Sequence, residues 1–187
     1  MLLTLAALLF ASHLAAQPKF ATDQGVLMLN GSLGFSSATQ SSGSSNSSAL
    51  TTIVIAPQVS YFIMPNLAVG GLVNFLGQSQ SGSSFSQLGI GPTIAYYFGD
   101  QSTTLYPFVQ GAVFYNSITS SYSGYYSSST TIGGVGFEVD AGITPMLARN
   151  IGLTLAAFFR LSNYSQNITS SSINTFGLRV GITGFLF

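Results

Sequence analysis

The sequence contains no cysteine and no tryptophan, and its single histidine is His13. Without cysteine the chain can form no disulfide bond and no thiolate metal site. Charged residues make up only 4% of the chain, against about 25% in ordinary soluble domains, and the formal net charge is zero. Nucleic-acid binding needs a basic patch, so we expect no nucleic-acid partner.

Long apolar runs are also scarce, because the only continuous one lies at the N-terminus. No later stretch reaches the roughly 18–20 residues of a membrane-spanning helix. Hydrophobic residues nevertheless make up 47% of the chain, and the mean hydropathy is +0.48. So much apolar surface argues against disorder. A membrane-like composition without a spanning helix leaves the closed β-barrel as the structure able to cross a bilayer.

The first sixteen residues have the pattern of an export signal. An apolar core from Leu2 to Phe10 is followed by small residues at Ala15 and Ala16, as signal cleavage requires. We predict a cleaved signal peptide at 1–16 and one mature domain at 17–187. One feature departs from the signal pattern, because no basic residue precedes the apolar core. The alternative is an uncleaved N-terminal membrane anchor, for which the apolar run is short.

The mature chain repeats one unit, in which about ten alternating residues are followed by a turn or loop, as in transmembrane barrels. The predicted strands are 25–35, 51–63, 67–76, 85–98, 105–115, 131–143, 151–161 and 173–187. The long connections are 36–49, 77–84, 116–130 and 162–172, and they alternate with short ones at 64–66, 99–104 and 144–150. The sequence therefore predicts an all-β, closed, antiparallel up-and-down transmembrane barrel of about eight strands, with short turns in the periplasm.

The phase of the alternation assigns a face to most side chains. Placing Gln110 inside the barrel sends Phe108 and Phe114 inside as well. In the last strand the apolar series changes parity near 183–184. A glycine bulge there is predicted to return Phe185 and Phe187 to the outer face.

The few charged residues avoid the predicted lipid-facing side, where Arg or Lys costs about 2–4 kcal/mol at mid-depth. Four lie outside the predicted strands: Lys19, Asp23, Asp100 and Arg149. The other four fall on inward positions of the last three strands: Glu138, Asp140, Arg160 and Arg179. Because buried charges must be paired, we predict a structural lumen charge cluster. The alternative is a ligand or ion site, although an eight-stranded interior is just wide enough for side chains.

Aromatic residues near the strand ends are predicted to form two membrane-interface girdles. The girdle at the short turns comprises Tyr61, Tyr96, Phe98, Tyr106 and Phe187. The opposite girdle comprises Phe35, Phe75, Phe85, Tyr115 and Phe159. The alternative is the general enrichment of aromatic residues in strands.

The mature chain offers little for catalysis. Loss of His13 with the signal peptide excludes a Ser-His-Asp hydrolase and a His/Cys metal site. Glu138 and Asp140 share one face as a carboxylate pair for acid–base chemistry, but two arginines are expected to partner them. We expect no enzymatic activity and no cofactor.

Several segments resemble a known family: NGSLGFSS, APQVSYFIMPNLAVGG, GIGPTIAYYFGD, YPFVQGAVFY and the terminal GFLF. Over residues 25–187 they are similar to the outer-membrane protein β-barrel domain family, the OmpA/OmpX-like small barrels of Gram-negative bacteria. The resemblance implies a place in the lipid of the outer membrane and insertion by the barrel-assembly machinery. That machinery reads the last strand, so Phe185 and Phe187 are the expected C-terminal insertion signal. The family has no single activity, and no binding residue is carried over.

Three functions stay open at this point. The first is a structural or surface-interaction role, because the long connections carry no charge and contain Tyr122, Tyr125, Tyr126 and Tyr164. Such a composition suits adhesion to glycans or proteins. The second is a small channel or conduit for small solutes. The third is a soluble lipocalin-like binding barrel, which would need the inverse charge placement.

Overall fold

The computed structural model describes residues 20–42, 45–46, 50–80, 83–100, 102–122, 128–166 and 169–187. The predicted signal peptide and Lys19 lie outside these residues. The described strands are β1 (Leu27–Ser42), β2 (Ser45–Asn46), β3 (Leu50–Met64), β4 (Leu67–Gln80), β5 (Ser83–Tyr97), β6 (Leu105–Tyr122), β7 (Ser128–Ala148), β8 (Ile151–Gln166) and β9 (Thr169–Leu186). The two-residue β2 pairs with the end of β1.

Eight of these strands form a closed barrel. β1 and β3 to β9 pair in sequence order, always antiparallel, and β9 returns to β1 from Leu27↔Leu186 to Ser41↔Ser172. Closure removes the unpaired strand edges that an open sheet would expose. The predicted fold class is confirmed. No helix in the described part of the chain is long and apolar enough to span a membrane.

The two ends of the barrel differ in the length of their connections. At the short-turn end, β3 joins β4 through 65–66, β5 joins β6 through 98–104, and β7 joins β8 through 149–150. At the opposite, long-hairpin end the strands run further than predicted. They take in most of 36–49, 77–84, 116–130 and 162–172, and at the short-turn end β7 continues to Ala148. These predicted loops are strands because backbone pairing continues where the apolar–polar contrast has ended.

The two faces of the barrel wall differ as the sequence predicts. The outward positions are exposed and apolar, among them Leu33, Ile55, Ile90, Val113, Val135, Leu178 and Ile182. The inward positions are buried, including Phe108, Gln110 and Phe114. A wall that is apolar outside and charged inside contradicts the lipocalin-like alternative, which needs the reverse.

The predicted bulge in the last strand is wrong. β9 pairs with β1 without a register shift through Thr183, Gly184 and Phe185. Phe185 therefore keeps its inward parity and is only 1% exposed, with its ring centroid 6.4 Å from that of Phe62. The change in parity marks an aromatic residue inside the barrel. Of the two phenylalanines, Phe187 is the exposed one, and it lies beyond the end of β9.

Candidate functional site: the filled lumen and its two rims

The four charged residues predicted for the lumen meet in the structure. Arg160 lies directly opposite Glu138 in the β7–β8 ladder, and its Nε donates to Glu138 Oε2 at 2.7 Å. Arg179 of β9 donates from Nη2 to Glu138 Oε1 and from Nη1 to Asp140 Oδ1, each at 3.0 Å. All four side chains are buried. Two acids and two arginines thus neutralise one another inside the barrel.

Two glutamines extend this network across the lumen. Gln110 of β6 donates from Nε2 to Asp140 Oδ2 at 3.2 Å, and Gln58 of β3 donates to Gln110 Oε1 at 2.8 Å. The same Gln58 amide lies 3.0 Å from Ser60 Oγ. A continuous set of hydrogen bonds therefore joins β9, β7, β6 and β3. The alternation of residues along β6 predicts that Gln110 faces the lumen. It does not predict that Gln58 and Asp140 are the hydrogen-bond partners of Gln110.

Aromatic rings pack against both guanidinium groups. Arg160 Cζ lies 4.8 Å from the ring centroid of Phe114, and Arg179 Cζ lies 4.8 Å from that of Phe158. Such contacts are attractive because the ring face carries negative charge. Rings and ion pairs together fill the middle of the barrel.

The space beside the charges is small. A cavity of about 20 Å³ is bordered by Asn30, Gln58, Asp140, Thr154 and Arg179. That volume is close to the room one water molecule needs. Both carboxylates already accept hydrogen bonds from arginine, so the geometry fits a packed polar core better than a ligand site. Among the described residues no group of three or more His, Cys, Asp or Glu side chains is placed to hold a metal ion.

The short-turn end of the lumen is closed by residues 20–26, which fold across its mouth. Gly25 N donates to Phe62 O at 2.9 Å, and Phe62 N donates to Val26 O at 3.0 Å. Val26 is fully buried in the apolar cluster below the charges. Rings stack in that cluster, with the Tyr97 and Phe108 centroids 5.2 Å apart. This cap was not predicted, because residues 20–26 have no periodicity and Gly25, which adopts a φ of 95°, was expected to be the first residue of a strand.

Solved structures with the same architecture are known. The neisserial surface protein A (NspA) matches with a TM-score of 0.66 at 16% identity, over 86% of this chain and 99% of that chain. Ail, the attachment invasion locus protein of Yersinia pestis, matches with a TM-score of 0.55 at 11% identity, over 86% and 99%. OprG of Pseudomonas aeruginosa matches with a TM-score of 0.54 at 9% identity, over 91% and 99%. The fold is that of a small outer-membrane β-barrel. No protein-family model and no curated protein matches the sequence.

The outer-membrane barrel fold places most of the predicted short-turn girdle on its outer surface. Tyr96 and Phe98 are exposed and meet edge to face, with centroids 5.0 Å apart. Phe187 is exposed beneath the guanidinium of Arg149, 5.7 Å from Cζ to the ring centroid, and Tyr61 is partly exposed. Tyr106 contradicts the prediction. It shares the inward parity of Phe108, is buried, and its hydroxyl donates to Asp100 O at 3.1 Å.

The opposite girdle needs one correction as well. Phe75, Tyr115 and Phe159 are exposed on the outer face. Phe85 shares the inward parity of Gln87 and packs against the lumen cluster that contains Phe114. The side chain of Phe35 lies outside the described residues.

The long-hairpin end of this barrel fold carries short hydroxyl side chains on its outer face. Thr119 and Thr131 lie opposite each other on β6 and β7, with their Oγ1 atoms 3.1 Å apart. Tyr164 was expected on an exterior loop, but it points into the lumen, where Gln87 Nε2 donates to its hydroxyl at 3.2 Å. The side chain of Tyr122 and all of Tyr125 and Tyr126 lie outside the described part of the chain.

Proposed function

We propose that this chain is an integral outer-membrane protein, with its short-turn end in the periplasm and its long hairpins on the cell surface. The observation that carries the proposal is the contrast between the two faces of the wall. The outer face is apolar on every barrel strand, while Glu138, Asp140, Arg160 and Arg179 are paired inside. In water this arrangement would expose a large apolar surface, which soluble monomers avoid.

We further propose a surface-interaction role through the long hairpins, with neutral glycans or proteins as partners. Residues 36–49, 77–84, 116–130 and 162–172 contain Ser, Thr, Asn, Gln, Gly and Tyr and no charged residue. Ail, which shares the fold, has been solved with the heparin analogue sucrose octasulfate. These hairpins have no basic side chain to neutralise a sulfated saccharide, so an uncharged partner suits them better.

The proposed role is neither catalytic nor conductive. Both lumen carboxylates are engaged by arginine, so the described part of the lumen has no free carboxylate for acid–base chemistry. The cap at residues 20–26 and the aromatic layer above it leave no evident route for a solute in the described part of the lumen. In planar bilayers we expect no steady single-channel openings, and steady openings would favour the conduit alternative.

Cell fractionation tests the proposed location. We expect the protein in the outer-membrane fraction, with a band on SDS gels that shifts on boiling because a closed barrel resists SDS at room temperature. We expect assembly to depend on the barrel-assembly machinery. Depletion of that machinery should then reduce the amount of folded protein in the outer membrane. A periplasmic protein without a heat-dependent shift would overturn the proposal.

The surface role is tested on intact cells. Binding of the displaying cells to arrays of neutral and sulfated glycans should favour the neutral set. Replacing residues 120–130 by a short Gly-Ser turn, which keeps the buried Asn116 and Ile118, should reduce binding while the heat-dependent shift persists. Equal binding by the shortened barrel would contradict the surface role.

A further inference from the structure

An open groove lies at the short-turn end of the barrel, between the cap and the turns that join β5 to β6 and β7 to β8. Its volume is about 260 Å³, and its lining includes Phe20, Thr103, Thr104, Met146, Leu147 and Arg149. The lining also includes the buried residues Ala21 and Tyr106. Leu147 is 67% exposed and continues the apolar outer face toward the rim. The groove therefore joins an apolar wall to a polar edge, as the boundary between lipid tails and headgroups requires.

The groove has one basic residue in its lining and one acidic residue close to it. Of the basic side chains in the described residues, Arg149 alone lies outside the lumen, and it is exposed. The hydroxyl of Thr103, which also lines the groove, lies 3.1 Å from Asp100 Oδ1, so the carboxylate is one hydrogen bond away from the groove lining. Backbone pairing holds the two turns together, because Met146 N donates to Thr104 O at 2.8 Å.

The carboxylate of Asp100 is anionic at neutral pH. Its Oδ1 accepts from Ser102 Oγ at 2.7 Å and from Ser102 N at 2.9 Å. These bonds from Ser102, followed by the one from Thr103, lower the pKa of Asp100 below its ordinary value. Arg149 thus brings a permanent positive charge to the groove lining, and Asp100 brings a negative charge one hydrogen bond beyond Thr103.

We propose that this groove binds the headgroup of phosphatidylethanolamine in the periplasmic leaflet, with the phosphate on Arg149 and the ammonium directed to Asp100. An acyl chain then runs along Leu147. The inference rests on the proposed function, since it needs the short-turn end to face a phospholipid leaflet. A primary ammonium donates N–H hydrogen bonds to a carboxylate, whereas the quaternary ammonium of phosphatidylcholine has no N–H, and phosphatidylglycerol has no cation.

Native mass spectrometry of the folded full-length barrel tests the proposal. The barrel is released from nanodiscs of equal parts phosphatidylethanolamine, phosphatidylcholine and phosphatidylglycerol, and the retained lipids are counted. We expect the wild type to retain phosphatidylethanolamine about fivefold over either other lipid, the ratio given by about 1 kcal/mol from a surface charge pair. Arg149→Gln should reduce retention of all three, and Asp100→Asn should reduce phosphatidylethanolamine only.

Ser129→Ala at the opposite rim is the matched control and should retain lipid as the wild type does. Each variant is first checked for the heat-dependent shift on SDS gels. A wild-type barrel that inserts but shows no headgroup preference would overturn this inference alone, as would an Arg149→Gln variant with unchanged retention. A barrel that fails to insert into any bilayer would overturn the proposed function and this inference with it.

Discussion

Arg179 of β9 and Glu138 of β7 are hydrogen-bonded across the lumen, Nη2 to Oε1 at 3.0 Å, although β8 separates their strands. Backbone hydrogen bonds of the barrel connect only neighbouring strands. The Arg179–Glu138 pair therefore links two strands that have no backbone hydrogen bond between them. Arg160, on the strand between them, binds the other oxygen of the same carboxylate. Glu138 is therefore the centre of a three-strand connection inside the barrel.

Removal of Arg160 should weaken the barrel strongly. In Arg160→Ala, Arg179 is the one cation left to neutralise the buried carboxylates of Glu138 and Asp140. The substitution also removes the contact between the guanidinium and the Phe114 ring. Breaking a buried ion pair from one side costs about 3–5 kcal/mol. We expect a lower urea midpoint in lipid vesicles and a heat-dependent shift at lower temperature. A variant as resistant to heat in SDS as the wild type would contradict the structural role of the cluster.

Removal of both partners should cost less than removal of one. In Glu138→Leu with Arg160→Leu, the bond between Arg179 and Asp140 survives, and no uncompensated charge is left behind. A double-mutant cycle from urea unfolding should give a coupling energy of about 1–3 kcal/mol between the two residues. Additive effects of the two single substitutions would show that the pair does not act as a unit.

Close approach of strands at Gly91 should make that position intolerant of a side chain. A Cβ there would overlap the backbone carbonyl of Val113 and lie 2.5 Å from Phe114 Cα. Overpacking of this kind costs about 1–3 kcal/mol, so Gly91→Ala should lower the urea midpoint. At Gly31 a Cβ meets nothing within 4 Å, and Gly31→Ala is the matched control that should fold as the wild type does.

Asn66 joins the cap to two turns, and its replacement should loosen the short-turn end. It adopts φ 68°, accepts from Thr22 Oγ1 at 2.6 Å and donates from Nδ2 to Gly99 O at 3.0 Å. Asn66→Ala should cost about 2–3 kcal/mol, because alanine disfavours this backbone conformation and both side-chain bonds are lost. Proteinase K should then cut within 20–26 of the solubilised barrel.

Asn66→Gly separates the two contributions to that loss. Glycine tolerates a positive φ, so only the side-chain bonds are lost and the decrease in stability should be about half as large. Equal losses in the two variants would show that backbone conformation contributes nothing at this turn.

Asp100 should give the barrel a component of stability that acid removes. Its pKa is lowered in the folded protein, chiefly by hydrogen bonds from Ser102. A carboxyl group with a lowered folded pKa stabilises the fold above its unfolded pKa of about 3.9 and loses that effect as the pH falls through the folded value. The urea midpoints of wild type and Asp100→Asn should differ above pH ~4 and converge below it. A difference that grows on acidification would contradict this sign.

The strand number, the inward phase and the charge cluster could be predicted because each depends on local alternation. Outward Val135 and Phe137 flank inward Gly136, and the same parity leads to Glu138 and Asp140. The lengths of the hairpins could not be predicted, because a run of serine and threonine has the same polarity on both faces of a strand. Phe185 and Tyr106 were misplaced because an aromatic residue fits a lipid interface and a barrel interior equally well.

The partners within the lumen depend on which strands become neighbours across the barrel. Gln58 and Gln110 are 52 positions apart in the chain, and no local pattern relates them. The cap is a second case. Thr22 donates a hydrogen bond to Asn66, which lies 44 positions later in the chain. Such contacts follow from the register of the whole barrel.

Tryptophan scanning with brominated lipids tests whether the outer face of the barrel contacts lipid, because the chain has no tryptophan of its own. Phe137→Trp and Val139→Trp place the indole on the exposed outer face, and Phe158→Trp places it in the buried lumen. We expect strong quenching by bromine at 137 and 139 and little at 158. Equal quenching at all three positions, or quenching at 158 alone, would contradict a barrel that faces lipid outside and carries its charges within.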